Sequence, residues 1–272
     1  MDEALRLHTF ARRMCMTRFD HWAEIYGGLV SAGGDRIGSD YTDDAYAIFP
    51  RYNVLNAVIS GIEAIDADAL PPLQQLRSLL AETARTASSD FTRPMSNAIH
   101  QRAMSEERET LVALFAKVTA SELAGVEPLF YRRTLDGDAV RFWRQSIAAT
   151  WGAPDGYWYP LGDKTHPSLV ALELHGIDKT DLQARIGSFF TDNAVARVIE
   201  LREFGEGYEL DASAAVLSYT DGEGFWTAAE GDWIVYCSHE GTITFGGKIA
   251  SEIGPEYPAY HCRTGSPQVT SR

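Results

Sequence analysis

The densest run of reactive side chains in the chain is Cys237-Ser238-His239-Glu240, with Thr242 two positions on. Imidazole carries protons near neutral pH, and a nearby carboxylate can orient the ring. A thiol beside an imidazole could act as a nucleophile. His239, Glu240 and Cys237 are therefore the candidate catalytic residues, for a hydrolase-type reaction with or without a metal. Two features weigh against them. Neighbouring residues point in different directions, and no oxyanion donor can be named. A polar hairpin loop would carry the same residues. His166 before Pro167 and His175 before Gly176 read as turn residues.

Cys237 and His239 are two apart, and His261-Cys262 are adjacent. Four such groups could complete a zinc tetrahedron, but the spacing matches no zinc module. They stand as weak metal candidates only. Gly246-Gly247-Lys248 resembles half of a phosphate-binding loop. The full pattern requires a Gly separated by four residues from the Gly-Lys pair and Ser or Thr after the Lys, where this chain has Thr242 and Ile249. Gly205-Glu206-Gly207 lacks a third glycine. No cofactor is expected. Tyr157, Trp158, Tyr159, Phe225, Trp226 and Trp233 could line a stacking pocket, although packing is the commoner use of such rings.

Charge gives the other functional signal. The formal net charge is −14. Residues 1–125 hold 12 Lys+Arg against 17 Asp+Glu, and residues 126–272 hold 12 against 21. Between 200 and 256, only Arg202 and Lys248 oppose twelve carboxylates. Such a surface repels phosphate, so no nucleic-acid partner is expected. It would speed association with a basic protein. The leading expectation is thus an acidic protein-binding module, for instance an immunity-type inhibitor of a basic toxin or nuclease. Asp221, Glu223, Glu230, Asp232 and Glu240 are the expected contact residues, gathered along one rim. The hydrolase is the alternative, and a structural or assembly subunit a third class.

Three cysteines, Cys15, Cys237 and Cys262, form no disulfide framework. Arg6, His8, Arg12 and Arg13 interrupt any apolar leader, and no apolar run reaches the roughly 20 residues of a membrane span. A cytoplasmic protein without a membrane partner is the expectation.

The elements that must position these residues follow from periodicity. Residues 3–30 carry an amphipathic stripe that includes Leu7, Phe10, Met14, Trp22, Ile25 and Leu29. Further helices are expected over 51–66, from Leu73 to about Ser88, and over 95–124 in one or two segments. Gly33 to Asp40 reads as a loop. Asp136 is placed to cap a helix carrying Val140, Trp143, Ile147 and Trp151, with Gly152 as its stop. Trp22, Trp143 and Trp151 read as core. Residues 156–161 and 169–174 read as strands, and Thr180-Asp181-Leu182-Gln183 as a capping box. From 194 onward the pattern turns to β, with strands near 194–204, 208–210, 216–217, 225–228, 233–237 and 242–245. A short helix over 248–253 follows. The fold class expected is α+β: a helical bundle-like region over 1–127, a mixed region over 128–262 ending in an antiparallel sheet, and a polar, disordered tail over 263–272. The seam near 125–135 is compatible with two domains or one continuous domain.

Overall fold

The computed structural model describes residues 2–153, 158–160, 168–220 and 222–262. The polar tail from 263 and half of the expected 156–161 strand, Tyr157 included, lie outside the described residues, as does His166, and Trp158 to Pro160 form no strand. The fold is α+β, helical at the N-terminal side with an antiparallel seven-stranded sheet towards the C-terminus. It divides into two compact units, Met1–Leu129 and Phe130–Arg272.

In the first unit, α1 (Glu3–Ser31) begins where the Asp2 carboxylate accepts the Leu5 N–H at 2.8 Å. α2 (Asp43–Glu63) starts at Thr42, whose hydroxyl accepts the Ala45 N–H at 3.2 Å, earlier than the expected 51–66 because the helix runs through Pro50. α3 (Leu73–Thr86), α4 (Ala98–Lys117) and α5 (Ala120–Ala124) complete the bundle. Gly33 to Asp40 is not merely a loop. It contains a two-stranded ribbon, β1 (Arg36–Ile37) with β2 (Asp40–Tyr41), whose turn uses Gly38 at φ 66°. The stripes meet in one core that includes Leu7, Val58, Ile62, Leu80, Leu111 and Phe115. Trp22 packs on its edge, half-buried rather than core, since its ring N–H reaches the Glu107 carboxylate at 3.2 Å.

Two histidines of this unit give a pH prediction. His8 and His100 are buried, and desolvation holds both below the ordinary imidazole range. His8 places Nε2 3.0 Å from the Ile62 carbonyl, and His100 lies against the Tyr46 and Phe49 rings. Both are therefore neutral when folded. Below about pH 6.5 the unfolded chain takes up protons that the folded unit excludes, so their contribution is present above that pH and lost with acid. The helical unit is expected to lose urea resistance from pH 7 to 5, and His100→Phe should flatten that slope. An unchanged slope in the variant would mean that His100 does not titrate differently on folding.

The second unit is a sheet with helices on both faces. Its strands are β3 (Arg132–Thr134), β4 (Leu169–Glu173), β5 (Arg197–Arg202), β6 (Tyr208–Asp211), β7 (Gly224–Thr227), β8 (Trp233–Cys237) and β9 (Thr242–Gly247). All neighbours are antiparallel, in the order β3-β6-β5-β7-β8-β9-β4. β3 escapes sequence reading because Arg-Arg-Thr has no apolar alternation, and a charged edge strand is how sheets discourage further pairing. α7 (Lys179–Asp192) and α8 (Lys248–Ile253) cover the face bearing Val198, Trp226, Val235 and Cys237. α6 (Gly137–Trp151) covers the face bearing Ile199, Leu201, Phe225 and Tyr236. The alternation of strand side chains produces this division.

Several local expectations shift. Asp136 does cap α6, and Gly152 ends it at φ 69°. The cap of α7 is Asp178 instead of Thr180: its carboxylate accepts the Thr180 and Asp181 N–H groups at 2.8 and 3.3 Å. Trp151 is buried, whereas Trp143 is only half-buried at the edge of its cluster. Val216 and Leu217 lie in no strand, because the chain leaves β6 through a short 3-10 turn at Ala212–Ala214.

Candidate functional site

The sheet register assembles the site. Glu173 pairs with Thr242, Ile243 with Cys237, Cys237 with Gly224, and Gly224 with Arg202. The end of β4, the start of β9, the end of β8, the start of β7 and the end of β5 therefore share one end of the sheet. Two tight turns lie side by side there, since the Leu174 N–H donates to the Gly241 carbonyl at 2.9 Å. In the first, Gly176 takes φ 86° after His175, the conformation a type II turn requires at its third position. In the second, Ser238 to Gly241, Gly241 takes φ 75° and its N–H donates to the Ser238 carbonyl at 3.2 Å. This is the hairpin expected from the sequence.

Glu223, just before β7, is the hub. Alternation puts it on the same face as Phe225, and Tyr236 and Ser238 lie opposite on that face. Its side chain is only 5% exposed. It accepts the Tyr236 hydroxyl in a short hydrogen bond, the Ser238 hydroxyl at 3.4 Å, and His239 Nδ1 at 2.6 Å. Three donors on one buried carboxylate replace the solvation lost on burial. A carboxylate can only accept, so Nδ1 carries the ring proton and Nε2 is the basic nitrogen of the neutral imidazole. The Tyr236 phenol is pushed well above its ordinary range by burial first, then by its bond to Glu223 and the charge there. It therefore stays a donor. Its ring is fixed between Phe225, at 4.7 Å between centroids, and Trp158, at 5.4 Å.

The imidazole of His239 is 56% exposed and lines a cleft of ≈ 740 Å³, bounded by the two turns, the first turns of α7 and residues 216–219. The Gln183 amide holds the last of these walls by donating to the Leu217 carbonyl at 2.9 Å. Leu174, Ile177, Leu182 and Leu217 form an apolar floor, and Glu173, His175, Lys179, Tyr219 and Glu240 supply polar ends.

The candidate catalytic trio is thus divided. His239 and Glu240 both line the cleft, but the carboxylate that orients His239 is Glu223, sixteen residues away in sequence. Glu240 is exposed, and its N–H donates to Ser238 Oγ at 3.2 Å. Cys237 points to the opposite face, fully buried in the core under α7 and α8, where desolvation raises its thiol far above neutrality. It forms no nucleophilic pair with His239.

The four metal candidates do not converge. His261 places Nε2 2.9 Å from the Gly254 carbonyl, and the Cys262 N–H donates to Ala171 at 2.8 Å. Both lie beside β4, separated from β8 by β9. Among the described residues no three His, Cys, Asp or Glu side chains could jointly hold a metal ion.

The five expected partner contacts do not form one rim either. Asp221 lies outside the described residues. Glu223 is buried beneath His239, not displayed, because its carboxylate faces Tyr236 and Ser238. Glu240 stands at the cleft. Glu230 and Asp232 are exposed at the opposite end of the sheet, where they line a second cleft of ≈ 500 Å³ with Arg197, Glu209 and Lys248. Antiparallel β8 carries the chain from one end to the other between Asp232 and His239. Sequence reading also missed Tyr236 and Lys179 as site residues. The one local signal for Glu223 is its setting between Gly222 and Gly224, directly before an apolar strand.

No helix among the described residues is long and apolar enough to cross a membrane. No known protein family, curated protein or solved structure matches the chain.

Proposed function

We propose that this protein is an acid–base enzyme of the hydrolase type, cleaving an acyl bond of a small molecule held in the cleft at His239. The observation that carries this reading is the buried Glu223 carboxylate bonded to His239 Nδ1 at the lip of a cleft with an apolar floor. His239 Nε2 takes a proton from water as the water oxygen bonds to the acyl carbon. The bond to the leaving group breaks, and the same proton passes to the leaving atom. Glu223 holds the tautomer and stabilises the imidazolium formed midway. Tyr236 and Ser238 hold Glu223.

A panel of p-nitrophenyl esters and p-nitroanilides tests this. His239→Gln is expected to lower kcat by about 10²–10⁴-fold, the usual worth of a positioned proton carrier. Glu223→Gln should lower it less and alter the acid limb of the pH profile. Turnover that is absent, or equal in wild type and His239→Gln, sinks the proposal.

A second reading is the acidic module for a basic protein partner, such as an inhibitor of a basic toxin or nuclease. It draws on Phe204, Val216 and Tyr219, which are 70%, 60% and 41% exposed near the cleft end, with exposed Glu203, Glu206 and Glu240 around them. Capture from native lysate at two salt concentrations addresses it. A basic protein retained at low salt and lost on replacing Phe204 and Tyr219 with serine supports it. Retention that ignores both changes argues against it.

A further inference from the structure

Two opposite charges face the same cleft from different elements. Glu173 ends β4, and Lys179 begins α7. Both are exposed, and neither has an ion-pair partner among the described residues, in the other or elsewhere. Arg12, Arg18 and Arg202, by contrast, are tied to Glu63, Glu107 and Glu200. The apolar floor lies within the same cleft. A ligand filling it would offer apolar surface between a positive and a negative group. Matched charges are worth more in a cleft that a ligand closes than in open water, because bound ligand excludes solvent from both pairs.

We infer that the cleft binds a zwitterion with an apolar body, an apolar amino-acid unit or short peptide, with its ammonium directed to Glu173 and its carboxylate to Lys179. Leu174 and Val216, the accessible apolar residues of the lining, take the side chain. This rests on reading the cleft as the substrate site, and it narrows the acyl bond of the proposed reaction to that of an amino-acid or peptide derivative. Tyr219 and His175 stand on the lips as further polar contacts, and the acidic protein as a whole does not favour an anion that lacks a compensating ammonium.

Calorimetric titration of the full chain with leucyl-leucine, its N-acetyl form and its C-terminal amide tests the inference. The free dipeptide should bind about five-fold more tightly than either blocked form, the upper range for a partly exposed ion pair. In Lys179→Ala the amide should bind as well as the free dipeptide. In Glu173→Gln the N-acetyl form should do so. Val216→Asp, at an exposed lining position, should weaken all three. No binding of any form, or equal binding of all three to wild type, overturns the inference. The two proposals fail separately. Charge-dependent binding with turnover that ignores His239→Gln removes the catalytic reading and leaves this one. Turnover that needs His239, with no preference for the free dipeptide, does the reverse.

Discussion

Replacing Glu107 with alanine is expected to destabilise the helical unit by about 3–5 kcal/mol, the cost of removing one partner from a buried ionic cluster. Glu107 lies on α4 with no exposed surface. Arg18 of α1 grips it with both arms, at 2.6 and 2.9 Å. The Trp22 ring N–H donates to it at 3.2 Å, and Arg51 of α2 stands 3.7 Å away. The carboxylate therefore ties three helices at one point. Without it, Arg18 is left partly buried beside an empty acceptor position, and the Trp22 ring N–H loses its acceptor. Urea unfolding followed by helical circular dichroism should show the midpoint fall. Glu107→Gln, which keeps the shape and one acceptor, should fall less. A midpoint unchanged in the alanine variant would mean that the cluster is solvated and contributes nothing net.

Gly247→Ala is expected to destabilise the sheet unit by about 3 kcal/mol or more, through backbone strain and a steric clash together. Gly247 joins β9 to α8 at φ 68° and ψ −136°, a region that side chains avoid. A Cβ there would stand 2.1 Å from the Asp232 carbonyl oxygen and 2.7 Å from the Trp151 ring. That carbonyl cannot retreat freely, since it accepts the Lys248 N–H at 3.1 Å. Gly27→Ala in α1 provides the contrasting control: nothing lies within 4 Å of its Cβ position, so the change should stabilise the helix by up to about 1 kcal/mol. Equal midpoints for the two variants would refute the account of Gly247. The same geometry explains the glycine pair that resembles a phosphate loop. A Cβ on Gly246 would meet Ile234 and Leu169 at 2.6 and 2.8 Å. Close packing between strand and helix accounts for both glycines.

The sequence by itself determined the α+β class and most of the helices and strands. Those features depend on signals that operate within a few residues: a 3.6-residue apolar stripe in α1 and α3, an Asp136 cap and Gly152 stop around α6, a short continuous apolar run in β8, and a glycine able to close the Ser238–Gly241 turn. It also placed His239 and Glu240 together on that turn. Tertiary structure alone decided how these residues are used. Glu223 reaches His239 because β7 and β8 pair Gly224 with Cys237, and register is a long-range property that no local pattern encodes. Cys237 and Tyr236 part to opposite faces, so the thiol two residues before His239 enters the core while the phenol one residue further back joins the site. The carboxylates between 223 and 240 look like one cluster in sequence. Yet the five residues of β8 span roughly 17 Å, and they carry Asp232 and Glu240 to opposite ends of the sheet. Sequence proximity along an antiparallel strand is distance across the sheet, and that geometry distributes the acidic residues between two clefts.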